Sequence, residues 1–160
     1  GVTLSSGGYE FQEFELGYTF GPQRPVSGTV GFRAGGFWSG DATSVELRRG
    51  RVAVTPRLSI EPGVSLNWVD LPEGRFTTNL GRARLTYTFT PRMFFSGLLQ
   101  YNSSGHTFST NIRFRWEYSP GSELFVVYTE DRDLDPFRPY WASAMRNRGF
   151  VVKVNRLFRY

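Results

Sequence analysis

The stretch Thr107-Phe108-Ser109-Thr110-Asn111-Ile112-Arg113-Phe114-Arg115-Trp116-Glu117-Tyr118 decides the fold. Phe108, Thr110, Ile112, Phe114, Trp116 and Tyr118 take every second position, and Ser109, Asn111, Arg113, Arg115 and Glu117 take the positions between. Successive side chains of a β-strand point to opposite faces, so a period of two makes a ribbon that is apolar on one side and wet on the other. Twelve residues also exceed the five or six of an ordinary globular strand and suit one tilted across a bilayer.

The same alternation extends outward. Leu58, Ile60, Val64, Leu66 and Trp68 oppose Ser59, Glu61, Ser65 and Asn67, and Val30, Phe32, Ala34, Gly36 and Trp38 oppose Thr29, Arg33 and Gly35. Period-two reading gives about nine strands of roughly 10 to 14 residues, at 9–20, 26–38, 43–54, 57–70, 75–89, 92–103, 107–118, 122–131 and 148–160. Short connections built on proline (21–25, 55–57, 90–92 and 119–121) alternate with longer or more polar ones (39–41, 70–74, 102–106 and 132–147). Proline fixes φ and lacks the N–H that a ladder needs, so each proline cluster ends a strand. Short turns on one side and longer loops on the other are the asymmetry of outer-membrane barrels.

Two segments break the pattern. Arg48, Arg49 and Arg51 occupy both parities, which predicts a bulge or a strand lying partly above the membrane. Leu124 to Tyr128 is apolar on both faces, which predicts a filled region behind it.

Composition agrees with a barrel. Aromatics reach 17% while all hydrophobic residues make only 39%, and no run of about 18 apolar residues exists to form a transmembrane helix. Barrel strands hide their hydrophobicity in alternation. The rival is a soluble β-sandwich with its aromatics packed between sheets, whose strands are usually shorter. There is no cysteine, so disulfides and thiolate metal sites are excluded. The net charge of +5 is mostly arginine. Nucleic-acid binding needs basic and aromatic residues on one face, and the alternation separates them. The first ten residues, GVTLSSGGYE, carry no leader pattern, so the expectation is a removed leader or an internal start.

Aromatic residues mark depth. Tyr18, Phe20, Tyr87, Phe89, Trp116, Tyr118, Phe158 and Tyr160 fall at strand ends beside the short turns or at the chain end, as an interfacial girdle requires. Trp38, Trp68, Phe76, Tyr101 and Phe108 are candidates for the opposite girdle. The wet face is expected to carry Glu13, Glu15, Arg33, Glu61, Arg82, Arg84, Arg113, Arg115, Glu117 and Lys153 toward a lumen. An arginine surplus there favours anions, unless the charges simply pair across strands.

The strings FSTNIRFRWEYSPGSELFVVYTEDRD (108–133) and RGFVVKVNRLFRY (148–160) resemble the C-terminal barrel region of an uncharacterised bacterial outer-membrane family. Its full-length members carry an N-terminal domain resembling a carbohydrate-binding module, which has no counterpart here. The resemblance covers roughly residues 43–160. Val152, Val154, Phe158 and Tyr160 are similar to the terminal-strand pattern read by the barrel-assembly machinery, although Arg156 interrupts it. The resemblance implies the bacterial outer membrane, contact with membrane lipid and lipopolysaccharide, and assembly by that machinery.

Sites of chemistry are few. His106, the single histidine, lies near Asn102, Ser104 and Ser109 and invites comparison with Asn-His-Ser phospholipase sites, but its Gly-Ser setting favours a plain loop. Glu130, Asp131, Asp133 and Asp135 lack the glycine and distal glutamate of a calcium loop, and solvated loop charges or divalent-bridged contact with lipopolysaccharide are the two readings. No GxGxxG or Walker pattern occurs. The sequence therefore predicts an all-β, antiparallel transmembrane β-barrel of about 8–10 strands, with residues 1–160 as one domain. An odd number of strands makes it the C-terminal portion of a larger barrel, completed by upstream strands or other envelope subunits; a small complete barrel is the alternative. No catalytic residue, cofactor or metal is assigned. The expected role is a wall or pore component, against a passive channel for anionic or saccharide-like solutes and a scaffold subunit.

Overall fold

The computed structural model describes Gly8, Glu10, residues 12–137, Pro139 and residues 144–158. Nine strands form one antiparallel sheet in sequence order: β1 Glu13–Phe20, β2 Val26–Phe37, β3 Gly40–Thr55, β4 Leu58–Leu71, β5 Gly74–Thr90, β6 Met93–Asn102, β7 Thr107–Ser119, β8 Ser122–Asp133 and β9 Met145–Asn155. Each strand pairs with its sequence neighbours, and among the described residues no pairing joins β1 to β9. The sheet is open. Eight of the nine strands have 10 or more residues, and β5 has 17.

Among the described residues no second layer packs on this sheet. The chain exposes 11677 Å², against about 8,100 Å² for a compact monomer of this mass. Among the described residues no side chain is fully buried, while Phe14, Leu16, Phe150 and Val154 are each more than 60% exposed. Register assigns the faces. Ile112 faces Gly97 and Tyr128, Leu85 faces Gly97 and Ile60, and Ile60 faces Val52, so one face is apolar across the sheet. The opposite face carries most of the charges, and those on the apolar side, among them Asp41, Asp70, Glu130, Arg132 and Arg148, lie toward the ends of their strands. Val69 and Leu71, the buried hydrophobic residues, lie on that charged face, with Phe76 opposite Val69.

Several expectations change. Turns Trp38-Ser39 and Pro72-Glu73 have two residues each, as short as Pro56-Arg57, Pro91-Arg92 and Pro120-Gly121 on the other side. Strands β2 to β5 extend into the polar residues because those residues still find ladder partners, such as Asp41 with Asp70 and Asp70 with Arg75. On the proline side the β1–β2 connection has five residues, one more than 103–106, so the loop asymmetry rests on the β8–β9 connection alone. Phe76 belongs to the charged face, because β5 alternates in step with Asn67 and Val69 of β4, so it leaves the expected second girdle.

The last strand begins earlier and ends earlier than its pattern. β9 starts at Met145, opposite Arg132, and stops at Asn155, opposite Glu123. β8 begins at Ser122, so Leu157 and Phe158 run past it, and the Leu157 N–H donates to the Ser122 hydroxyl at 3.0 Å instead. Phe158 thus lies beyond β9 with the Arg156 guanidinium 4.9 Å from its ring centre, and Tyr160 lies outside the described residues. At the other end, β1 begins at Glu13 rather than near residue 9.

Candidate functional site

The site begins with a proline inside a strand. Pro62 sits in the middle of β4 and offers no N–H to the ladder. Opposite it, β3 carries an extra residue. Leu47 pairs with Val64 and Val52 with Ile60, so five steps along β3 match four along β4. The β2–β3 register shifts at the same place, where Thr29 meets Arg48 and Ser27 meets Arg51. Arg49 absorbs the irregularity at φ 52°, a conformation that costs a non-glycine residue about 1–2 kcal/mol. Gly50 follows because its neighbour leaves no room: a Cβ there would lie 2.4 Å from the Pro62 carbonyl oxygen.

This bulge explains the double parity of the arginines. It flips the alternation between Leu47 and Val52, keeping both on the apolar face and Arg48 and Arg51 both on the charged one. Arg49 turns to the charged side as well, lining a depression of about 530 Å³ with Arg51, Glu61, Arg82 and Arg84. Three arginines in four residues thus share a face, a density that strict alternation forbids. Arg82 crosses Gly63, where a Cβ would lie 2.7 Å from its Nε. Cross-strand pairing sets Glu61 against Arg84 and Arg82 against Gln100.

By register, the ten charged residues read from the sequence all lie on this face. They are not treated alike. Arg33 reaches Glu13 at 3.8 Å and Glu15 at 3.5 Å. Arg115 is ion-paired with Glu123 and lies between two rings, 5.9 Å from the centre of Phe94 and 5.7 Å from that of Phe125. Phe125 is one of the residues that make Leu124–Tyr128 apolar on both faces, so the filling there packs around a guanidinium. Among the described residues, Arg49, Arg51, Arg82 and Arg84 have no carboxylate within ion-pair distance. Arg48 differs from them, being paired with Glu46.

The sequence reading missed Arg48, Arg49 and Arg51 as wet-face residues. The signal was present in their mixed parity together with Pro62-Gly63 on the adjacent strand.

The aromatic pairs occupy the apolar face near the proline turns. Tyr18 and Phe20 meet edge to face at 4.8 Å, Tyr87 and Phe89 at 4.7 Å, and Trp116 and Tyr118 at 6.0 Å. The Tyr118 hydroxyl donates to the Asn155 carbonyl at 3.0 Å. Val152 and Val154 of β9 lie on the same face, opposite Val126 and Leu124.

The remaining candidates disperse. His106 ends the turn 103–106 at φ 46°, and its carbonyl accepts the Leu134 N–H at 2.6 Å. Glu130 stands on the apolar side of β8, near the loop-bearing rim, held by Tyr128, Arg132 and Arg148. Asp131 points to the other face, opposite Ser109 and Asn147, and Asp133 pairs with Arg146 at 2.9 Å. Asp135 accepts the Phe137 N–H. Among the described residues, no three histidine, aspartate or glutamate side chains converge as a metal site.

No protein-family model matches the chain, nor does any curated protein or solved structure.

Proposed function

We propose that this chain is an integral outer-membrane β-barrel protein, or part of one, whose apolar face meets lipid and whose charged face lines a wet interior. The carrying observation is the bare apolar face of a nine-stranded sheet with long strands and no fully buried side chain among the described residues. Exposed apolar surface on that scale marks contact with another apolar phase, and in hydrocarbon every backbone polar group must be paired. The open edges of β1 and β9 then require partners: each other, further strands of the same barrel or another envelope subunit. Proline turns face the periplasm in this reading, and the opposite ends of the strands, where residues 103–106 and 134–137 lie, face outward toward lipopolysaccharide.

The role that follows is a wall or pore component of an uncharacterised outer-membrane family, inserted by the barrel-assembly machinery and without catalysis of its own. A passive path for anions is favoured over a scaffold by the four arginines of β3–β5 that lack counter-carboxylates. The test of membrane embedding is tryptophan fluorescence in vesicles with brominated acyl chains. Trp68 and Trp116 lie on the apolar face and are 44% and 43% exposed. Strong quenching is expected, and emission untouched by the bromines overturns the reading. For the anion path, planar-bilayer currents are expected to show a reversal potential set by the anion gradient; no steady current favours the scaffold.

A further inference from the structure

The charged face gathers arginines without ion-pair partners around one depression. Glu61 lies opposite Arg84 across β4 and β5, and Arg49, Arg51 and Arg82 surround the same depression. Four guanidiniums, always charged, face a single carboxylate there, and like charges on neighbouring strands repel. The fold nevertheless concentrates them, spending a left-handed Arg49, an obligatory Gly50 and a mid-strand Pro62 to do so. Bulges of this kind re-aim side chains next to functional sites.

We propose that this depression is a binding site for a phosphate group, either free inorganic phosphate or the phosphate of a small ester, seated on Arg49, Arg51, Arg82 and Arg84. The proposal rests on the reading of this face as water-filled. A guanidinium presents a planar fork of donors that matches phosphate oxygens two at a time. A tetrahedral dianion offers enough oxygens to engage several forks at once, whereas a monocarboxylate satisfies one. The depression, about 530 Å³, has the size of a small-ligand pocket, so an organic body attached to the phosphate fits over Pro62, Leu98 and Gln100.

The test is calorimetric titration of the membrane-inserted protein with inorganic phosphate and with glycerol 3-phosphate, glycerol serving as the neutral control. Salt at about 0.3 M shortens the screening length to about 6 Å and suppresses the diffuse charge of the face. Saturable binding of one or both anions is expected, and their relative affinities tell free phosphate from ester. The double variant Arg82→Gln/Arg84→Gln is expected to weaken binding at least about tenfold. If that variant does not insert, Arg49→Asn serves in its place, because asparagine tolerates the left-handed backbone while removing the charge. Arg113→Gln, on the same face but away from the depression, is expected to change affinity by less than about twofold. Absence of phosphate binding overturns the site, as does equal binding of glycerol or equal weakening by Arg113→Gln. Flotation with vesicles is scored on the same preparation: protein that floats without binding refutes the site alone, and protein that binds without floating refutes the membrane reading.

Discussion

Arg115 and Arg84 lie on the same face of the same sheet, yet their surroundings differ completely. Arg115 is ion-paired with Glu123 and flanked by Phe94 and Phe125, so its charge is spent on joining β6, β7 and β8. Arg84 lines a depression with Arg49, Arg51, Arg82 and a single glutamate, and has no ion-pair partner among the described residues. The arginine excess is therefore no uniform coating. Arg33 of β2 and Arg115 of β7 find carboxylates across strands, whereas the cluster of β3–β5 holds four arginines without one.

Four substitutions sharpen or break that contrast, each measured as the urea dependence of folding into lipid or detergent. Gly50→Val is expected to be the most damaging, at about 2–3 kcal/mol, because its side chain is forced into the Pro62 carbonyl. A loss under about 0.5 kcal/mol would mean that the bulge is not tightly specified. Arg115→Ala comes next, at about 1–2 kcal/mol, from the loss of an ion pair and two ring contacts. Arg33→Ala is expected to cost less than about 1 kcal/mol, since its pairs with Glu13 and Glu15 are long and exposed. Arg84→Gln is expected to be neutral or slightly stabilising, within about 0.5 kcal/mol, because it relieves repulsion. If Arg84→Gln cost as much as Arg115→Ala, the cluster would be structural and the comparison would collapse.

Much of this architecture was legible in the sequence. The nine strands and the separation into two faces follow from period-two patterning, because a strand with one apolar face has only one way to orient. What escaped were features set by a neighbouring strand. The bulge at Arg49 was visible only as a parity conflict, since its cause, Pro62, lies on β4. The place of Phe76 on the charged face depends on its register with Val69, and Val69 and Leu71 look like apolar-face residues until that register is known. The end of β9 at Asn155 was hidden for the same reason: the start of β8 at Ser122 decides it, whereas Phe158 resumes the apolar parity beyond Arg156. The two-residue turns at 38–39 and 72–73 were obscured by polar residues that nonetheless pair. As for the candidate site, Arg82 and Arg84 were readable from alternation alone, but their convergence with Arg49 and Arg51 was not.

The central claim is that every second side chain of these strands contacts hydrocarbon, and nitroxide scanning along β7 tests it most directly. The chain has no cysteine, so single cysteines placed from Phe108 to Glu117 can be labelled without background. In vesicles, relaxation by dissolved oxygen is predicted to peak at Phe108, Thr110, Ile112, Phe114 and Trp116, and relaxation by a water-soluble nickel chelate at Ser109, Asn111, Arg113, Arg115 and Glu117. A flat profile, or even-numbered positions shielded from both reagents, would contradict the account.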